Sequence, residues 1–242
     1  MGGAIPGFQP VASADVGAII VAAGRSIRMN GTDKMFAPIL GRPLLAHTMA
    51  VFEHCRAVGH IALVVAEESL EQARSLVREE GWRKLSIICP GGARRQDSVK
   101  RGLQGLPPCE WVVVHDGARP CVESRTIEQG LEAARRAGAA IAAVPVTDTV
   151  KRVDAEQRVT ETLDRSVLWA AQTPQVFRRD LLTRAHIEVD GEATDDAALV
   201  ERLGHAVVVY MGSYRNIKVT TAADLVLAAA YLREAALSRK GT

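Results

Sequence analysis

The feature that most constrains this chain is a set of short apolar runs with no polar face. They lie at about 18–22, 61–66, 85–89, 111–114, 139–146 and 206–211, and each is rich in Val, Ile or Ala. A strand with one wet face would show a polar residue at every second position. These do not, so they read as strands covered on both sides, as in a parallel sheet between two helix layers. The segments between them carry helical spacing at 43–54, 70–80 and 127–137. Another helix is expected after Thr194, with Asp195 and Asp196 in its first turn and a stop at Gly204, because carboxylates complement the unpaired N–H groups of a helix start. Thr221 and Asp224 form a capping-box-like pair before an Ala/Leu-rich helix that runs to about Ala236. Strand and helix in alternation predict an α/β fold: a doubly wound, mostly parallel sheet flanked by helices.

One segment breaks the alternation. Residues 149–165 alternate with period two around a polar centre at 154–158, which predicts a protruding β-hairpin arm at about 147–168. A two-stranded hairpin is marginal alone in water, so a second copy of the chain is the economical support. The rest reads as one domain over 16–237, after a disordered tail at 1–15. Those first residues lack a basic start and a continuous apolar stretch, and Pro6 stands where a myristoylation pattern needs Ser or Thr. No stretch approaches the ~18 consecutive apolar residues of a membrane span. Lys plus Arg number 30 against 28 Asp plus Glu, a formal charge of +2, so no general attraction to nucleic acid is indicated. The cysteines at 55, 89, 109 and 121 form no CxxC pair. They read as free thiols of a cytoplasmic protein rather than zinc ligands or a disulfide framework.

Ligands of a doubly wound sheet bind at the carboxyl ends of its strands, so the residues after each run belong together. After the first come Ala22, Ala23, Gly24, Arg25, Ser26 and Arg28, then Lys34. Small residues let backbone N–H groups approach an anion, and the cations add charge. The loop is no Walker motif. Ser26 spoils a GxGxxG pattern, which disfavours a dinucleotide-dependent oxidoreductase. After the third run come Gly91, Gly92, Ala93, Arg94, Arg95 and Ser98. Two glycine-then-cation loops favour a polyanionic ligand over solvated turns. After the fourth come His115, Asp116 and Arg119. Asp116 is either a partner for Mg²⁺, which takes one or two carboxylates plus phosphates, or an ion-pair partner of Arg119. His115 reads as structural. Lys218, between Ile217 and Val219 in an expected short strand, points opposite to both; taken alone, it reads better as a solvated edge lysine.

The pieces VAAGRSIRM, GGARRQDSV, VHDGARP, DTVKR, TPQVF and NIKVT occur in this order. Together they resemble the 2-C-methyl-D-erythritol 4-phosphate cytidylyltransferase family, over about 16–237. The resemblance implies a Rossmann-like nucleotidyltransferase that joins CTP to 2-C-methyl-D-erythritol 4-phosphate, with Mg²⁺ or another divalent cation mainly on the CTP phosphates. It implies that Ala22, Ala23 and Gly24 cradle those phosphates and that Arg28 and Lys34 stabilise the reacting one. Gly92, Ala93 and Ser98 would read cytosine, with Arg95 close by. Asp116 and Lys218 would lie between nucleotide and acceptor, with Arg119 and Thr173 helping to hold the acceptor. Thr149 and Arg165, on the arm, would reach the acceptor in the other subunit of a homodimer. Against the family pattern, Ser26 replaces a glycine, Asp33 a proline and Ala93 an aspartate. The alternatives are a cytidylyltransferase acting on a pentitol phosphate such as ribitol 5-phosphate, and a non-catalytic nucleotide-binding regulator. Arg28, Lys34, Asp116 and Lys218 together argue against the regulator, since a mere binder needs fewer charges around one phosphorus.

Overall fold

The structure is a computed structural model that describes residues 15–24 and 33–240. The proposed tail, apart from Asp15, and the loop residues Arg25, Ser26 and Arg28 lie outside the described residues. The chain begins with β1 (Val16–Ala22), whose seven residues are all buried. A 3-10 turn at Lys34–Phe36 follows, then a short ribbon of β2 (Pro38–Ile39) and β3 (Arg42–Pro43). Next come α1 (Leu44–His54), β4 (His60–Val65), α2 (Leu70–Glu80), β5 (Leu85–Pro90), α3 (Arg95–Gly105) and β6 (Trp111–Asp116). The second half holds α4 (Ser124–Ala137), β7 (Ala139–Pro145), β8 (Lys151–Val153), β9 (Val159–Thr162) and β10 (Trp169–Arg178). It closes with α5 (Arg179–Glu188), α6 (Asp196–Arg202), β11 (Val208–Met211) and α7 (Ala222–Lys240), which outruns its expected end at Ala236.

Seven strands form one sheet in the order β11-β7-β10-β6-β1-β4-β5. Neighbours are parallel, except that β10 runs antiparallel to both β6 and β7. Apolar residues line both faces of β1. Val16, Ala18 and Ile20 pack on one side with Met49 and Phe52 of α1 and Ile127 of α4. Ile19 and Val21 pack on the other with Val99 of α3, Leu182 of α5 and Val200 of α6. From β1 the chain builds outward through β4 and β5, then crosses to β6 on the opposite side of β1. That reversal opens a crevice at the carboxyl ends of β1 and β6.

Two elements differ from the sequence expectation. β10 escapes the apolar-run pattern because Gln172, Thr173, Pro174 and Gln175 occupy its middle, where its register against β7 shifts between Ala171 and Gln175. An irregularity of this kind accommodates a proline that cannot donate to the ladder. Residues 217–219, expected as a short strand, form none. Val219 N–H donates to the Ala118 carbonyl at 2.8 Å, and Lys218 still points opposite to buried Val219.

The arm is present as the antiparallel pair β8–β9, exposed along both strands. Asp154 closes its tip: Oδ1 accepts from the Glu156 and Arg158 N–H groups at 3.1 and 2.9 Å. Val153, Val159, Val167 and Trp169 leave an apolar surface on the arm and at its base. Among the described residues, no helix is long and apolar enough to cross a membrane.

Candidate active site

A cleft of about 600 Å³ opens at the crevice between the strand ends. Ala23 and Gly24, just past β1, form one wall, and Gly91, Gly92 and Ala93, between β5 and α3, form another. The walls interlock. A Cβ added to Gly91 would lie 2.2 Å from the Ala23 Cβ, and one on Gly92 would lie 2.3 Å from the Asp97 Cβ. Both positions therefore require glycine on steric grounds alone. The Ser98 hydroxyl accepts from Gly92 N–H at 3.1 Å and donates to the Arg94 carbonyl at 3.3 Å. It shapes the loop from inside while lining the cleft.

The floor is built around Asp116, the last residue of β6. Its Oδ2 meets Lys218 Nζ at 3.0 Å and Arg119 Nε at 3.5 Å, and its Oδ1 meets Arg95 Nε at 3.3 Å. Burial pushes the Asp116 carboxyl up, but Arg95, Lys218 and Arg119 together outweigh burial and hold it well below the usual carboxylate range. It is an anion wherever the protein works. Lys34 enters from the side on the 3-10 turn. Asp33 fixes that turn, accepting from Met35 N–H through Oδ1 at 3.0 Å and from the Ser69 hydroxyl through Oδ2 at 3.0 Å. A proline there could accept neither bond. Burial, then repulsion from Lys218, lowers the Lys34 pKa, against the pull of Asp33, Asp116 and Asp224.

Beneath the floor lies a buried polar layer. The Thr173 hydroxyl accepts from Asp116 N–H at 3.0 Å and pairs with His115 Nδ1 at 3.0 Å. Burial drives the His115 pKa down to about 3, so the ring is neutral and structural, stacked obliquely 5.1 Å from Phe52. Arg119 donates through Nη1 to the Asn216 carbonyl at 2.7 Å, and Asn216 Nδ2 donates to the Thr173 carbonyl at 2.7 Å.

The fold thus brings Ala23, Gly24, Lys34, Gly92, Ala93, Arg95, Ser98, Asp116 and Lys218 to one cleft. Ala22 ends β1 as a buried residue. Arg119 and Thr173 are buried under the floor, where they hold Asp116. Thr149 and Arg165 are exposed on the arm, outside the cleft lining of this single chain. Arg28 lies outside the described residues. Sequence reasoning missed Asp33 as the anchor of Lys34, and Asp196, a fully buried carboxylate 2.6 Å from Arg95. An aspartate directly before the lysine and a doubled Asp at a helix start were the available signals.

Both Asp116 oxygens face cations, and the described residues contain no group of three His, Cys, Asp or Glu side chains that could hold a metal by themselves.

A family model described as 2-C-methyl-D-erythritol 4-phosphate cytidylyltransferase matches residues 16–234. A protein of that name from Dehalococcoides mccartyi is 50% identical over 219 residues, covering 90% of this chain and 96% of the relative. The crystal structure of 4-diphosphocytidyl-2C-methyl-D-erythritol synthase from Anaerococcus prevotii superposes with a TM-score of 0.81 at 29% identity, over 93% of this chain and 100% of the other. That of 2-C-methyl-D-erythritol 4-phosphate cytidylyltransferase from Thermus thermophilus gives 0.75 at 34% identity, over 89% and 98%.

Proposed function

The chain belongs to the 2-C-methyl-D-erythritol 4-phosphate cytidylyltransferase family, and we propose that it joins CTP to 2-C-methyl-D-erythritol 4-phosphate by in-line attack on the α-phosphorus. The products are 4-diphosphocytidyl-2-C-methyl-D-erythritol and pyrophosphate. A phosphate monoester has a second pKa of about 6 and is largely dianionic at neutral pH, so the acceptor needs no base. The obstacle is repulsion between two polyanions, and catalysis reduces to positioning and charge stabilisation.

The observation that carries this reading is the convergence of Lys34, Arg95 and Lys218 on one cleft, around a single locked carboxylate. Ala23 and Gly24 face the phosphates, and the loop of Gly92, Ala93 and Ser98 faces the base. Lys34, with Arg28 by family resemblance, neutralises charge as it moves toward pyrophosphate. Asp116 holds Lys218 at the junction of nucleotide and acceptor. The divalent cation is part of the substrate and arrives as Mg·CTP. The exposed apolar arm supports a homodimer in which Thr149 and Arg165 serve the partner's acceptor, and four unpaired cysteines suit the cytoplasm.

Incubation with CTP, Mg²⁺ and 2-C-methyl-D-erythritol 4-phosphate should release pyrophosphate and form the cytidine diphosphate adduct. Ribitol 5-phosphate in its place should turn over poorly. The reverse preference would overturn the acceptor, and no pyrophosphate with either acceptor would overturn the reaction.

A further inference from the structure

Arg95 sits between two carboxylates, and the stronger contact is with the one outside the cleft. Its Nη1 donates to Asp196 Oδ2 at 2.6 Å, while its Nε reaches Asp116 Oδ1 at 3.3 Å. Its Nη2 is buried with no hydrogen-bond partner among the described residues. The guanidinium is thus stretched across two anions and seated squarely on neither. Asp196 has no exposed surface and also meets His186 Nε2 at 3.1 Å. It is free for this task because its neighbour Asp195 caps α6, accepting from Ala198 N–H at 3.0 Å and from Gln175 Nε2 at 2.7 Å.

The alternative seat for Arg95 is plain. A guanidinium prefers to grip both oxygens of one carboxylate. Asp116 Oδ2, which that grip would take, is the oxygen that holds Lys218 at 3.0 Å. We propose that Asp196 is a positioning residue that restrains Arg95 from capturing Asp116 outright, and so keeps Lys218 anchored at the cleft. The inference rests on the proposed reaction only for its kinetic consequence; the geometric consequence stands without it. Asp196 is not itself among the residues lining the cleft, and it acts through Arg95 and Asp116 in turn.

The test is a cycle of Asp196→Asn, Arg95→Gln and the double variant, with kcat and KM measured for both substrates and cooperative unfolding checked for each. Asp196→Asn should lower kcat by about tenfold to a hundredfold, the scale of a misplaced charge. KM for CTP should stay within about threefold, because the Gly24 and Gly91 loops are untouched. In the Arg95→Gln background the same change should cost less than about twofold, since no guanidinium remains to invade Asp116. Equal cost in both backgrounds, or lost stability with unchanged kcat, overturns the proposal and leaves Asp196 a structural anchor. If Asp196→Asn fails to fold, Asp196→Glu moves the carboxylate and should give a smaller effect of the same sign. A crystal structure of the folded variant needs no substrate: Arg95 bridging both Asp116 oxygens, with Lys218 Nζ released, supports the proposal, and an unmoved Arg95 sinks it. Wild-type protein that releases no pyrophosphate would instead overturn the reaction, and the crystallographic arm would still decide the role of Asp196.

Discussion

Lys34 shows how much one residue's surroundings determine. Half-burial and the nearby Lys218 charge make its ammonium less favourable than that of a free lysine, so it gives up its proton at a lower pH than usual. The alkaline limb of kcat/KM, which reports the free enzyme, should therefore fall below the ordinary lysine range. Lys34→Arg keeps its charge throughout and should move that limb to higher pH; a limb that stays in place would assign it to another group. Lys34→Ala should lower kcat by about a hundredfold or more, with a far smaller rise in KM for CTP, as expected for a charge used mainly in the transition state. Equal loss in both parameters would mark simple ground-state binding. The residue types here were legible in the sequence, because two glycine-then-cation loops at strand ends together favour a polyanionic ligand over solvated turns. Their partners were not: Asp33 lies 36 residues from Ser69, and Arg95 lies 101 from Asp196.

Among the elements, α3 is the one whose seat matters most, since it carries Arg95 and Ser98. It lies close against the sheet because Gly102 faces it. A Cβ there would fall 2.5 Å from Ile19 Cγ2 and 3.1 Å from Val64 Cγ2, both in the buried layer. Gly102→Ala should cost about 1–3 kcal/mol by overpacking, read as a lower denaturant midpoint. It should also weaken CTP binding, because the helix lifts the cleft wall; full stability with full affinity would show that the layer yields freely. The arm is the opposite kind of element, legible from its period-two polarity and its tip but exposed along both strands. If it serves a second subunit, mixing Arg165→Ala chains with Lys34→Ala chains should restore activity at one site in the heterodimer. Verified heterodimers that stay inactive would remove the arm from the reaction.

At the scale of the molecule, the polar layer under the cleft couples folding to pH. His115 is buried neutral with its pKa near 3, against 6.5 for an ordinary histidine. Between those values the unfolded chain binds a proton that the folded chain refuses. Stability should therefore fall as pH drops below 6.5, by up to about 1.4 kcal/mol per pH unit from this group. Asp116 and Asp196, whose carboxyls stay charged in the fold despite burial, add a further loss in stronger acid. His115→Gln should flatten the first slope by about one proton in equilibrium unfolding between pH 6.5 and 4; an unchanged slope would place the titration elsewhere. The layer exists because β10 enters the sheet between β6 and β7 with polar residues at its centre, which apolar patterning could not foresee. The doubly wound class, most helices, the arm and the glycine-rich turns at the ends of β1 and β5 followed from the sequence, since each depends on periodicity or on the chemistry of neighbouring residues. The order of the strands, the place of β10 and the buried contacts of Asp33, His115 and Asp196 were decided only in three dimensions. They join residues tens of positions apart, and the energy of a buried charge depends on which partners the folded chain sets around it.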